Sequence, residues 1–267
     1  MPPAHLLDVS SMNLLLLLDF TRQDFVDRYS GSALGALWAW IHPLVMIFIF
    51  TVIFANVMGA RLPGVAGNYS YAIYLVSGLL PWMAFANTIT RGSTVFLDKR
   101  HIIGKIPIAL AYLPLYIVVS EGIAFAISLL IFMVFMLIIG AFPGKSFLLL
   151  PFIFLLQQIF AFGLGLLFGV LNVFLRDIKE MVGILLTFWF WLTPIVWVPD
   201  VAPPLVQQMQ DSFNPAYLFI AAYHGILVHG QMPDFDALFR LVLIAHITLL
   251  LAWLLLKWLE RDVRDFL

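Results

Sequence analysis

Six stretches of this chain are long and apolar enough to cross a lipid bilayer as helices: residues 34–58, 71–95, 108–139, 147–171, 181–198 and 238–258. Crossing the hydrocarbon core takes about 20 such residues. Composition points the same way. Of 267 residues, 63% are hydrophobic and 11% charged, against about 25% charged in an ordinary soluble domain. The expected fold is an all-α integral membrane protein with six transmembrane helices. The third stretch would be about 48 Å long as one helix. It is expected to protrude or bend, at Pro114 or Gly122.

The basic residues orient these spans. Arg22 and Arg28 precede the first; Arg91, Lys99, Arg100 and Lys105 follow the second; Arg176 and Lys179 follow the fourth; Lys257, Arg261 and Arg264 follow the sixth. Eleven of the 14 basic residues thus fall on one side, leaving Arg61, Lys145 and Arg240 on the other. By the positive-inside rule both termini are expected in the cytoplasm. The run Leu14 to Leu18 follows Asp8 with no basic residue before it, which is not the pattern of a cleaved signal peptide. A net charge of −1 gives no reason to expect a nucleic-acid partner, and the absence of cysteine excludes disulfides and thiolate chemistry. No internal repeat is evident. The reading is one membrane-spanning domain: a cytoplasmic or interfacial segment 1–33, six spans over 34–258 and a cytoplasmic tail 259–267.

Two segments are expected at the membrane without crossing it. Residues 12–30 place Leu14, Leu18, Phe25 and Tyr29 near one helical face, with Asp19, Gln23, Asp27 and Arg28 mostly elsewhere and Arg22 at the edge. That is an amphipathic interfacial helix. Between spans five and six, the external stretch 199–240 contains the apolar run Tyr217 to Val228, too short to span. It predicts a re-entrant helical hairpin breaking at Gly225 or Gly230, tolerated only against protein or a water-filled path.

Candidate chemistry is sparse. "GAFPGKS" (140–146) ends like a phosphate-binding loop but has three residues between its glycines where the motif needs four, and it follows a helix instead of a strand. It reads as a tight external turn, so this chain is not expected to bind or hydrolyse ATP. Asp234-Phe-Asp236 has a DxD form, read here as a solvated loop in preference to a metal–nucleotide site. His224 and His229 are five apart, which does not place two ligands on one helical face. No catalytic, cofactor or metal site is expected. Glu121 is the one acid well inside a span. It is either part of a proton or substrate path or a hydrogen-bonded packing group. Trp38, Trp40, Trp197, Trp253 and Trp258 lie near span ends as belt residues do. Trp82, Trp189 and Trp191 lie deeper and, with Phe85, either pack helices or line a channel for sugar rings. The loop Phe96 to Lys105 mixes charge with apolar residues, as a partner-docking helix or a positive-inside anchor would.

Several motifs then carry a resemblance. "RYSGSALGALWAWIHP" (28–43), "GLLPWMAFANTITRGS" (78–93), "LNVFLRDI" (171–178), "LTPIVW" (192–197), "NPAY" (214–217) and "ERDVRDF" (260–266) resemble, in order, the permease subunits of polysaccharide-exporting ABC transporters. Such permeases act in O-antigen, capsule or teichoic acid export. After Lys105 and Pro107, where many relatives carry a charged pair, this chain has Ile108 and Ala109. The resemblance implies a homodimer in the bacterial inner membrane with two ATP-binding subunits, which would bind ATP and Mg²⁺, and a lipid-linked polysaccharide as substrate. It implies that Asp98, Lys99, Arg100, His101 and Lys105 form a coupling helix with Arg176 and Asp177 nearby. It also implies that Tyr217, Tyr223 and Gly225 belong to an external gate. The alternatives are a drug or lipid exporter of the same architecture and a multi-spanning glycosyl- or acyltransferase.

Overall fold

The computed structural model describes residues 14–65, 67–105, 109–233 and 235–267, and among them every regular element is helical. Helix α1 is Leu14–Tyr29. Helix α2, Trp38–Phe50, follows a single 3₁₀ turn and runs on through a π-helical segment, Thr51–Val57. Helices α3 (Ser70–Asp98), α4 (Arg100–Ile103) and α5 (Leu115–Ile138) follow. Then come α6 (Leu150–Phe174), α7 (Ile178–Leu192), α8 (Pro204–Phe213), α9 (Pro215–Leu227) and α10 (Phe235–Phe266).

Among the described residues, five stretches are long and apolar enough to cross a membrane: Gly35–Val57, Ser70–Asp98, Leu110–Ile138, Gly144–Phe174 and Phe235–Phe266. They match five of the six sequence-expected spans, and the chain is an integral membrane protein. The long third stretch is resolved as foreseen at Pro114, which caps α5 after a short 3₁₀ turn, Leu110–Tyr112, while Gly122 sits inside an unbroken helix. The fifth span departs from its expected bounds of 181–198. Its helix ends at Leu192, and 15 residues reach only about 22 Å, short of a core of about 30 Å. Pro194 is the cause, since it disfavours helical backbone at the residue before it. Thr193 accordingly adopts an extended conformation, with ψ 134°.

At the centre, α3 and α6 run parallel with their backbones nearly touching. A Cβ added at Gly92 would lie 2.8 Å from the Gly165 Cα, and one at Gly169 would lie 2.7 Å from the Gly92 carbonyl oxygen. Another face of α6 approaches α10, where a Cβ at Gly163 would lie 3.0 Å from the Leu249 nitrogen. In a bilayer, helix association comes from close packing and not from hydrophobic expulsion, so small residues at contacts are the expected device. These contacts put the ends of α3, α6 and α10 together: Asn172 donates to the Ser93 carbonyl at 2.9 Å, and Phe174 packs edge-on against Phe266 at 5.2 Å. This end holds most of the basic residues. At the opposite end the chain turns through Gly140 (φ 71°) and Gly144 (φ 71°), so "GAFPGKS" is the tight turn its glycines implied.

The face of α1 that meets the bundle is Phe20, Thr21 and Asp24, and Leu14 and Leu18 of the expected apolar face point away from it. Charge partners on α3 and α5 hold that rotation. In the 199–240 segment, α8 and α9 are joined at Asn214, a turn the sequence reading did not place, and of the two glycines where a break was expected the chain breaks at Gly230. Gly225 lies inside α9, and Gly230, with φ 64°, belongs to the return toward α10. Proline at N1 and asparagine at the N-cap are strong helix-start signals, and they outweigh a glycine that a helix can absorb.

Candidate functional site

The break in the fifth span is the most elaborately supported backbone in the molecule. Between Leu192 and Trp197 the chain leaves the helix through a bend at Thr193 and a tight turn at Pro194 and Ile195, so several of its carbonyls lose their helical partners. Side chains replace them. Gln210 of α8 donates to the Leu192 carbonyl at 2.8 Å. The Tyr74 hydroxyl meets the carbonyls of Pro194 at 3.1 Å and Trp197 at 2.9 Å, and the Tyr71 hydroxyl donates to that of Val196. Asn214 ties the pieces together. Its amide nitrogen donates to Gln210 Oε1 at 2.7 Å and Thr193 Oγ1 at 3.1 Å, and its oxygen accepts from Trp189 Nε1 at 2.7 Å and the Tyr217 N–H at 3.2 Å. One side chain thereby joins α7, the non-helical segment, α8 and α9.

Beside this break lies an aromatic cluster. Phe85 stacks on Phe160 at 5.6 Å and meets Trp189 edge-on at 5.6 Å, with Trp82 5.6 Å from Phe85 and 6.3 Å from Trp189. Trp82 and Phe85 are buried within the chain and Trp189 is half-buried. Trp191 is the exception among the four candidate channel-lining residues, with 61% of its surface open. It lies on an outward stripe of α7 with Met181, Ile184 and Phe188.

The expected gate residues are placed differently from one another. Tyr223 is fully buried and donates to Gln157 Oε1 at 2.9 Å, tying α9 to α6. Tyr217 is half-buried in the first turn of α9, and the Gly225 carbonyl accepts from the Gln231 N–H at 2.9 Å. His224 stacks on Tyr74 at 3.9 Å, its Nε2 3.1 Å from the Tyr74 carbonyl, while His229 is exposed. Asp234 lies outside the described residues, and Asp236 is in the first turn of α10.

At the basic end the candidate coupling residues lie on two loops, most of them exposed. Asp98 closes α3 and accepts from Thr94 at 2.7 Å. The Lys99 ammonium sits 5.5 Å from the centre of the Tyr116 ring. Ile103 is buried, anchoring the single turn of α4, while Arg100, His101 and Lys105 remain exposed. Arg176 and Asp177, between α6 and α7, are exposed as well. The Gly92–Gly165 contact places both loops at the same end of adjacent helices.

Glu121 is 2% exposed and is not alone. Its Oε1 accepts from Arg28 Nη2 of α1 at 2.8 Å and from Arg91 Nη1 of α3 at 2.6 Å; its Oε2 accepts from Asn87 at 3.2 Å. Asp24 of α1 completes the group, paired with Arg91 and with Arg28. Burial alone would lower the Arg28 pKa, but the attraction of Glu121 and Asp24 more than offsets it and holds the guanidinium above its ordinary value. Two cations and two anions therefore lock the interfacial helix onto the spans. Sequence reasoning singled out Glu121 but missed its partners. A depth count would have found one of them. Glu121 lies six residues into α5 and Arg91 seven residues from the end of α3, so both sit about 10 Å from the basic end.

Against known proteins, residues 17–228 match the ABC-2 type transporter membrane family. The chain is 27% identical, over 94% of its length and 94% of the relative's, to the O-antigen export system permease protein RfbA of Myxococcus xanthus. It is 31% identical to the protein of that name in Klebsiella pneumoniae over 81% of this chain and 82% of the other. It is 23% identical to the polysialic acid transport protein KpsM of Escherichia coli, covering 80% of this chain and 84% of that one.

Proposed function

Because the chain belongs to the ABC-2 type transporter family, we propose that it is the membrane-spanning subunit of an ATP-driven exporter that moves lipid-linked polysaccharide out across the bacterial inner membrane. The observation that carries this reading is the near full-length similarity to O-antigen export permeases. O-antigen is therefore the first choice of polymer, with capsule next through the weaker likeness to a polysialic acid transport protein, and teichoic acid after it. The chain itself is a transport subunit and no enzyme; ATP and Mg²⁺ belong to a separate ATP-binding partner, present in two copies.

The basic end then lies in the cytoplasm with both termini, as the positive-inside rule requires. Arg100, His101, Lys105, Arg176 and Asp177 offer the partner an exposed, charged footing, with Asp98 and Lys99 at its root. A push on that footing passes into α3 and α6 together, since their glycine contacts leave no slack for sliding independently. The displacement reaches the broken span, where non-helical backbone is held by side-chain hydrogen bonds that can exchange partners without melting a helix. The outward stripe of α7, with Phe188 and Trp191, faces the second copy in a homodimer and offers flat rings to passing sugars. The α8–α9 hairpin, with Tyr217, forms the external gate.

Depleting the protein in its native host tests this. The expected result is lipid-linked polymer accumulating at the inner membrane with little on the cell surface. Loss of polymer from both places, after excluding feedback, would assign the chain to synthesis, and no change in either pool would favour a drug or lipid exporter.

A further inference from the structure

Where α2, α3 and α5 meet the end of α1, they leave a chamber of about 300 Å³, the small end of the range for ligand pockets. Its lining residues recur every three or four positions on each helix: His42 and Met46 of α2, Ala84 and Asn87 of α3, Ala124 and Ser128 of α5. One face of every helix therefore turns inward. Close packing would fill such a junction with large side chains. Here Ala39, Ala84 and Ala124, one from each helix, keep it open. Arg28 and Glu121 are the ion pair in the lining, and Asp24 and Arg91, which complete the quartet, stand outside it. Trp38 supplies an aromatic wall, its Nε1 donating to Ser32 Oγ at 2.9 Å.

We propose that this chamber seats one neutral pyranose ring of the lipid-linked glycan, an inference that rests on the polysaccharide-export reading. The charges argue for a neutral ligand. A phosphate would meet the Glu121 carboxylate and an ammonium would meet the Arg28 guanidinium, whereas each sugar hydroxyl both donates and accepts. The capacity for such bonds is there. Arg28 uses only Nη2 for its two ion pairs, leaving Nε and Nη1 without hydrogen bonds among the described residues. Glu121 Oε2 has a single contact, from Asn87 at 3.2 Å. The Asn87 amide oxygen and the His42 ring add further partners. The negative face of the Trp38 indole suits the weakly positive C–H face of a pyranose. Depth selects a lipid-linked sugar over a soluble one. Glu121 lies about 10 Å inside the basic end, where Arg28 of the interfacial helix reaches it. The sugar nearest the lipid is the one held at that level, with its phosphate left outside the chamber.

The test uses the whole transporter in its native host. The photoreactive residue p-benzoylphenylalanine in place of Met83, which lines the chamber, should on illumination give a permease adduct that stains for sugar and carries lipid by mass spectrometry. The same residue at Phe188, on the outward stripe of α7, reports on passing glycan. At Leu250, in an apolar groove between α6 and α10, it reports on bulk lipid. Ala124→Phe fills the chamber, and Asn87→Leu removes a polar partner while leaving Glu121 paired with both arginines. Each should lower the glycan adduct at Met83 about tenfold, the worth of one good hydrogen bond, with the permease at its normal level on a membrane immunoblot. Glycan captured at Phe188 but not at Met83 would overturn the chamber and leave export standing. An adduct at Met83 of phospholipid alone, or of sugar without lipid, would do the same, as would equal glycan capture at Leu250. No glycan at any position, with surface polymer unchanged on depletion, would overturn the export reading and this inference with it.

Discussion

At the scale of single residues, two side chains do more than their positions in the sequence advertise. Glu121 holds Arg28 and Arg91 at once, and removing it leaves two guanidiniums with Asp24 as their remaining carboxylate partner. Breaking a buried pair costs about 3–5 kcal/mol, and with 28% of each arginine side chain exposed the lower end applies. Glu121→Ala should therefore lower stability by about 3 kcal/mol, read as an earlier thermal transition of the purified complex. Glu121→Gln, which keeps a hydrogen-bonding oxygen, should fall between. Tyr74 is the second case. Tyr74→Phe strands the Pro194 and Trp197 carbonyls, at about 1–3 kcal/mol for a buried unsatisfied group. Surface polymer should drop while the amount of inserted protein holds. Normal export from Tyr74→Phe would mean that the non-helical segment after α7 needs no such support.

The elements show which signals a sequence carries well. The places of α3, α5, α6 and α10 were legible because burying an unpaired backbone in lipid is prohibitive, so hydropathy and helix coincide, although α10 runs past its expected end at 258 to Phe266. The fifth span was legible as an apolar run but not as a broken one, although Pro194 stood in it. The run extends to Val198, whereas the helix stops at Leu192, because a proline ends hydrogen bonding without ending hydrophobicity. The turn at Asn214 was hidden for a similar reason: its asparagine is a cap only once Pro215 has started α9. The glycines of α6 were visible, their use was not. Gly169→Leu would place a side chain against the Gly92 carbonyl and Phe96, where overpacking costs about 1–3 kcal/mol. The expected outcome is a sharp loss of folded permease on a membrane immunoblot, whereas Gly183→Leu, where an added Cβ meets nothing within 4 Å, should be tolerated.

For the whole molecule, the sidedness of the basic residues is the argument to test. The chain has no cysteine, so single cysteines can be labelled without background. Cysteines at Lys99 and Arg261 should react with an impermeant maleimide only after the inner membrane is opened. One at Lys145 should react in intact spheroplasts. Reversed labelling would invert the topology and remove the coupling surface from the partner's reach. The same surface illustrates what folding adds. Arg100 and Arg176 are 76 positions apart in the chain, and they share an end of the bundle because α3 and α6 run parallel through their glycine contact.

What the sequence determined by itself was the class of the protein, its long spans, its charge asymmetry and, through ordered motifs, its family. Each of these rests on a property that is local or summed along the chain: hydropathy, residue spacing, net charge. What only the tertiary structure decided was which charges meet and which backbone is held open. Glu121 finds Arg28 93 residues away, and Tyr74 finds the Trp197 carbonyl 123 residues away. Such pairings depend on helix rotation and depth, and these are fixed only when every apolar face in the bundle is packed at once.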